Sequence, residues 1–269
     1  MITAQITFGG CGSGDKLLEE KNLVEEYLGT LIKNGQLYGE YVLTCQRNTL
    51  IAFVYFADSE ALLEQSHSEL GKKQLGLIVK HFEIQPKSTI LEEVASASDW
   101  QSAESFYLFT HLFDSTSPVC HGKTGKPIPT YKLPVSDSIR EGLYFWAESY
   151  RHHDAIWLES GDLEIPAYKQ LADPHSGLAR QGRELCTKIE QATGKATFYY
   201  LHRYWGRKGQ AEENRLCPVC GCRWHVGDIA NENGFWVFPF RCYPCRLVSH
   251  KADSFEDERH ARIGEYRET

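Results

Sequence analysis

The sequence predicts an α+β fold. Three observations carry that prediction. The N-terminal part orders its elements strand–helix–strand–strand–helix–strand, the central part alternates helices with aromatic strands, and two C-x-x-C turns follow near the C-terminus. Ile2 to Phe8 alternates apolar and polar residues (Ile2, Ala4, Ile6, Phe8), the period of a half-buried strand. Gly9 to Gly14 breaks it, and Ser13 or Asp15 can cap the next element. From Lys16 to Asn34 the residues Leu17, Val24, Leu28, Leu31 and Ile32 recur at helical spacing, and Asn34-Gly35 ends the run. Tyr41–Cys45 and Thr49–Phe56 are β-branched and aromatic, joined through Arg47-Asn48 as a tight hairpin. A second helix is expected between Ala61 and His81, interrupted by Gly71 and Gly76, and a strand over Phe82–Leu91, kept to an edge by Pro86. This order is that of a ferredoxin-like βαββαβ unit over residues 1–92.

A central α/β region is expected over residues 93–212. Phe106–Phe113 reads as a buried strand and Pro118–Pro134 as a Pro- and Gly-rich loop. Asp137–Tyr150 and Leu178–Gln191 read as amphipathic helices, the second stopped by Thr193-Gly194, and Ala196–Trp205 as an aromatic strand. Residues 213–250 form the cysteine-rich segment. Residues 251–269 are a charged tail, short helix or frayed end, with Glu256–Glu258 followed by Arg259–Arg262.

Composition excludes whole function classes. With 42% apolar and 24% charged residues, wholesale disorder is ruled out. No run approaches the roughly 20 apolar residues of a membrane span. MITAQITFGG lacks a basic segment followed by an apolar core, so a cytoplasmic protein is expected. The net charge of −7 falls entirely on residues 1–205, which hold 19 Lys/Arg against 26 Asp/Glu; residues 206–269 hold ten of each. That sign opposes a general nucleic-acid binder, whose affinity rests on phosphate neutralisation.

Nine cysteines are present. Cys11, Cys45, Cys120 and Cys186 are scattered singly, which fits reduced thiols rather than a disulfide framework. The other five lie between Cys217 and Cys245. Cys217-Pro218-Val219-Cys220-Gly221 and Cys242-Tyr243-Pro244-Cys245-Arg246 are two C-x-x-C turns separated by 21 residues. Each turn presents two thiolates on one side of a tight loop, with Gly221 free to take positive φ. Two opposed turns give a tetrahedral S4 site, the arrangement of one structural Zn²⁺ held by Cys217, Cys220, Cys242 and Cys245. Turns at Gly227-Asp228 and Asn233-Gly234 and an aromatic strand over Phe235–Arg241 suit a hairpin between the knuckles, which together make an all-cysteine zinc ribbon. Cys222 and His225 are rival ligands by type; a partly buried thiol and a flanking imidazole are the favoured readings.

At these residues the chain resembles a family of bacterial proteins with a C-terminal zinc ribbon, the DUF2310 family, which is labelled as candidate nucleic-acid-binding. The resemblance rests on Thr193-Gly194, Tyr199-Tyr200-Leu201-His202-Arg203, Cys217-Pro218-x-Cys220-Gly221 and Cys242-x-x-Cys245-Arg246-Leu247-Val248-Ser249. The segments Ser117-Pro118-Val119-Cys120, Pro127-Ile128-Pro129 and Tyr131-Lys132-Leu133-Pro134 add to it. It implies the same four ribbon ligands.

Other constellations are weaker. Gly9–Gly14 sits where a phosphate loop would, but Asp15 stands where a P-loop needs Lys, so a flexible connection is expected. Cys120-His121 lacks a matching pair and reads as surface loop. Arg151-His152-His153-Asp154 reads as an exposed helix end. No HExxH, G-x-S-x-G or kinase pattern occurs, so no enzyme is expected. Cations and aromatics interleave around the ribbon entry. Lys195, His202, Tyr204 and Trp224 belong to this stretch, and Arg203, Trp205, Arg207, Lys208, Arg215 and Arg223 are its candidate nucleic-acid contacts, interrupted by Glu212 and Glu213. The expected function is non-catalytic binding of a protein partner through the acidic body, in one form an inhibitor or immunity protein that neutralises a toxin. Nucleic-acid binding through the ribbon is the alternative.

Overall fold

Alternation along β1 (Ile2–Gly10) buries Ile2, Ala4, Ile6 and Phe8, and that face anchors the first of two units. The computed structural model describes residues 1–93, 98–226 and 238–267. The first unit comprises Met1–Trp100, Ser115–Ser117 and Pro127–Tyr144; the second comprises Gln101–Asp114, Pro118–Lys126 and Phe145–Thr269.

In the first unit β1 is followed by α1 (Asp15–Asn34), β2 (Leu37–Gln46), β3 (Thr49–Phe56), α2 (Glu69–Phe82) and β4 (Lys87–Glu93). The sheet runs β2-β3-β1-β4, antiparallel at each step. Helix α1 buries Val24, Tyr27, Leu28 and Leu31 into the same core, and Gly35 closes it with φ 78°. The β2–β3 turn places Arg47 and Asn48 at φ 49° and 60°, the left-handed pair that matches the twist of a two-residue hairpin. The second helix begins later than its sequence suggests, at Glu69 rather than Ala61. Ser68 supplies the stop, its Oγ accepting the Gly71 N–H as an N-cap, and a short 3₁₀ turn over Glu64–Ser66 precedes it. That helix runs on to Phe82, so the following strand starts at Lys87 instead of Phe82, just beyond Pro86.

The second unit is built on β5 (Ser105–Leu108), β6 (Val119–His121), α4 (Glu164–Ala172), α5 (Gly177–Thr193), β7 (Ala196–Tyr200), α6 (Gln210–Glu213), β8 (Phe240–Cys242) and β9 (Leu247–Ser249). Helix α3 (Asp137–Glu159) contributes to both units by residue, dividing after Tyr144. The sheet order is β6-β5-β7-β9-β8, with β5, β7 and β9 parallel and the two edges antiparallel. The strands are shorter than the aromatic runs imply. Beyond Leu108 the chain leaves the ladder after the Phe109 N–H reaches Pro118 O, and beyond Tyr200 the Leu201 N–H makes one more bond to Val248 O before side chains take over. Cys120-His121 is a buried strand rather than a surface loop, because β6 pairs with β5 and packs all three of its residues inside. Helix α3 continues nine residues past Tyr150, which puts Arg151-His152-His153-Asp154 inside the helix instead of at its end. There Arg151 pairs with Glu148 and the buried Asp154 accepts the Leu112 N–H at 2.8 Å. Among the described residues no helix is long and apolar enough to cross a membrane.

Helix α5 is capped at both ends, by Ser176 Oγ on Ala179 N–H and by Gly194 at φ 70°. Gly182 on its buried face lies under Tyr199 and Trp146. A Cβ there would come within 2.6 Å of Trp146 Nε1 and closer still to the Tyr199 ring. Gly182→Ala is therefore expected to lower stability by about 1–3 kcal/mol through overpacking, despite the better helix propensity of Ala. Urea denaturation reads this as a lower midpoint; an unchanged or raised midpoint would contradict the packing.

Candidate metal centre

Two short loops build the centre, and the same backbone device shapes both. In the first, Gly221 N–H donates to Cys217 O at 2.9 Å and Gly221 takes φ 68°. In the second, Arg246 N–H donates to Tyr243 O at 3.3 Å and Arg246 takes φ 51°. The residue after each second cysteine thus turns left-handed. Glycine does so freely, whereas Arg246 is held by a bidentate pair with Glu190 (Nε–Oε2 2.9 Å, Nη2–Oε1 2.8 Å) and by donation to Tyr243 O. The second loop joins β8 to β9, so it is anchored in the five-stranded sheet.

The Sγ atoms of Cys217, Cys220, Cys242 and Cys245 all lie within 4.8 Å of one another, and Cys220 and Cys242 approach to 3.6 Å. A tetrahedron with metal–sulfur bonds of about 2.3 Å has edges of about 3.8 Å, so the four sulfurs fit a single metal ion. No other such group of His, Cys, Asp and Glu occurs among the described residues. Cys217 and Cys242 are buried and Cys220 and Cys245 partly so. Burial raises the Cys220 thiol, but the Cys222 N–H and the neighbouring thiols outweigh it and draw Cys220 down to about 7. Burial and the Cys220 neighbour push Cys245 up to about 12. A shared cation would offset the cost of gathering several thiolates in so small a space. Cys222 is exposed and stands outside the group, and His225 packs its ring on Phe240 at 4.9 Å. The expected turns at Gly227-Asp228 and Asn233-Gly234, and the strand residues Phe235 to Val237, lie outside the described residues.

The residues expected to contact nucleic acid are mostly internal. Arg203, Glu212 and Arg215 are 1%, 3% and 8% exposed. Arg203 pairs with Glu212 (Nη2–Oε2 2.9 Å) and donates to Ala261 O at 2.6 Å. Arg215 pairs with Glu212 Oε1 at 3.0 Å and donates to Ser249 Oγ and His250 O, with its guanidinium 3.7 Å from the Phe240 ring centroid and 4.7 Å from that of Trp224. Arg207 is bound by Glu265, at 2.8 and 2.7 Å. Trp205 is buried against Tyr168. His202 is held neutral, its pKa drawn down to about 3 by burial and by His250. The structure therefore corrects the expected contact patch: Arg203, Trp205 and Arg215 are turned inward and Arg207 is already paired, leaving Lys208 and Arg223 exposed. In the sequence Glu212 interrupts a cationic stretch. It is instead the carboxylate around which that group of cations is folded, and Glu265, far along the tail, completes it.

Three family models match the chain: a domain of unknown function (DUF2310) over residues 100–202, and the domains of unknown function DUF8594 over 206–255 and DUF8589 over 1–92. Two Haemophilus influenzae relatives, each named an uncharacterized protein, are 35% identical over 149 residues, or 55% of this chain; the match spans 71% of one and 56% of the other. The chain belongs to the DUF2310 family. In this DUF2310 member the family region ends at His202, immediately before the buried arginine network, and the DUF8594 match contains all four clustered cysteines.

The network carries a pH signature. Burial raises the Glu212 carboxyl, but Arg203 and Arg215 outweigh it and hold its pKa below the usual 4.5; Arg207 and Arg203 do the same for Glu265. A depressed folded pKa contributes stability that is complete above the ordinary carboxylate value and is lost as pH falls through the folded one. Glu212→Gln strands two buried guanidiniums and is expected to cost about 3–5 kcal/mol at neutral pH. Its stability should also fall less steeply than that of the parent between about pH 5 and 3. Urea midpoints across that range measure both; parallel pH profiles for the two proteins would contradict the assignment.

Proposed function

We propose that this DUF2310 member is a non-catalytic zinc-ribbon protein that acts by binding a protein partner. The observation that carries the reading is the closure of both features that would have suited other chemistry. Four thiols fill a tetrahedral site and leave no open position for activating water, which supports a structural Zn²⁺. The cations that would have met phosphate are occupied by Glu212 and Glu265. What remains is a chain of net charge −7 whose negative excess lies in residues 1–205, a surface suited to a basic partner by steering and complementarity. One concrete form is an inhibitor or immunity protein that neutralises a toxin in the cytoplasm. The first unit reads as ferredoxin-like on its element order and its β2-β3-β1-β4 antiparallel sheet, which supports a binding scaffold without naming an activity.

Nucleic-acid binding is the alternative, and Lys208 and Arg223 are the exposed cations left to serve it. Titration of the metal-loaded protein into labelled single-stranded and duplex DNA and RNA separates the two. No shift is expected at about 150 mM salt. A shift abolished by Lys208→Glu with Arg223→Glu would replace the protein-partner reading. The positive arm is reconstitution with a host protein purified separately. A stoichiometric complex whose association slows as salt rises is expected, and failure of any host protein to form one would contradict the reading.

A further inference from the structure

Two cysteines outside the metal centre are joined within the first unit. Cys11 opens the short loop over residues 11–14 between β1 and α1, and Cys45 lies one residue before the end of β2. They form a disulfide across a Cα–Cα distance of 6.6 Å, although 34 residues separate them in sequence. Sheet register brings them together. Gly9 and Cys45 both pair with Leu50 of β3, from opposite sides, and the Cys11 N–H then crosses to Asn48 O in the hairpin turn at 2.8 Å. This corrects the expectation that both are isolated thiols.

The surroundings suit exchange as well as bonding. Both cysteines are half-buried, at the margin of the core rather than inside it. The Lys16 side chain lies against Gly12, where a Cβ would come within 2.7 Å of its Cδ. Gly12 N–H donates to the buried Glu20 carboxylate at 2.8 Å, and that carboxylate is in turn paired with Lys16 at 3.7 Å and His81 at 3.5 Å. Helix α1 starts at Asp15, so the positive end of its dipole faces the loop that carries Cys11. The α1 N-terminus and Lys16 favour a sulfur anion at the adjoining Cys11, against the opposing charge of Glu20 and Asp15. Cys120 and Cys186 contrast with the pair, being buried thiols pushed well up by desolvation.

We propose that Cys11 and Cys45 form a reversible thiol–disulfide exchange site for low-molecular-weight disulfides of the glutathione class, and that oxidation latches the loop over residues 11–14 to the end of β2. In the forward direction the Cys11 thiolate attacks one sulfur of the disulfide RSSR, forming Cys11–S–S–R and expelling RS⁻. The Cys45 thiolate then attacks the Cys11 sulfur, forming the Cys11–Cys45 bond and expelling the second RS⁻. Two protein thiols are oxidised, one RSSR is reduced by two electrons, and the two protons end on the departing thiolates. Excess RSH reverses both steps.

The test uses the full-length, metal-loaded protein equilibrated in mixtures of reduced and oxidised glutathione, quenched with a maleimide and mapped by peptide mass. Thiols at 11 and 45 are expected to disappear together with metal retained, and to return in excess reduced glutathione. Cys45→Ser should trap a glutathione adduct at Cys11. Hydrogen exchange of the amides over residues 11–14 should slow by roughly tenfold or more on oxidation. Oxidation of the clustered cysteines with metal loss before any change at Cys11 would overturn the proposal. So would separate glutathione adducts at Cys11 and Cys45 in the parent protein, or a bond that excess reduced glutathione leaves intact.

Discussion

The buried Glu212 carboxylate, enclosed between Arg203 and Arg215, is the interaction on which the C-terminal half depends. Arg203 leaves the end of β7 and fixes the tail through Ala261 O and Ile263 O. Arg215 stands two residues before the first clustered cysteine and reaches Ser249 Oγ and His250 O at the end of β9. The Trp224 N–H returns to Arg215 O at 3.1 Å. One carboxylate therefore ties the strand that enters the cysteine segment, the loop that carries its first knuckle and the strand that leaves its second. Charges buried this deeply survive only when paired and hydrogen-bonded, so the network constrains geometry more than it adds net stability.

That constraint explains why the sulfurs converge. The second knuckle is fixed between β8 and β9, and β9 is parallel to β7 in the central sheet. The first knuckle has no strand of comparable length; it is held by a bridge between Leu216 and Arg223 and, just beyond it, by one between His225 and Phe240 of β8. Arg215 and Trp224, both packed on Phe240 of β8, and the Arg241 N–H bond to Trp224 O fix its position. A metal ion holding all four thiolates would lock the same arrangement from the other side, as binding free energy that becomes folding free energy.

The C-x-x-C pairs were legible in the sequence because a ligand set is a local spacing, and α1, β3 and α5 because their apolar periods are long and their ends are marked by Gly35, Asn48 and Gly194. The three-residue strands β6 and β9 were not legible, since elements that short carry no period and exist only through partners elsewhere in the chain, whereas β8 falls at the end of the expected aromatic strand over Phe235–Arg241. The cationic stretch misled for a related reason. A sequence shows that Arg203 and Arg215 are positive but not that Glu212 and Glu265 neutralise them, and Glu265 lies 62 residues beyond Arg203. The Cys11–Cys45 pair was hidden in the same way, because sheet register rather than spacing brings the two together.

X-ray absorption at the zinc edge of the protein purified under reducing conditions tests the closed centre most directly. One zinc per chain with four sulfur neighbours at about 2.3 Å and no nitrogen or oxygen bound to it is expected. A nitrogen or oxygen neighbour in place of a sulfur, or fewer than four sulfurs in a fully loaded protein, would show an open site and contradict a purely structural metal.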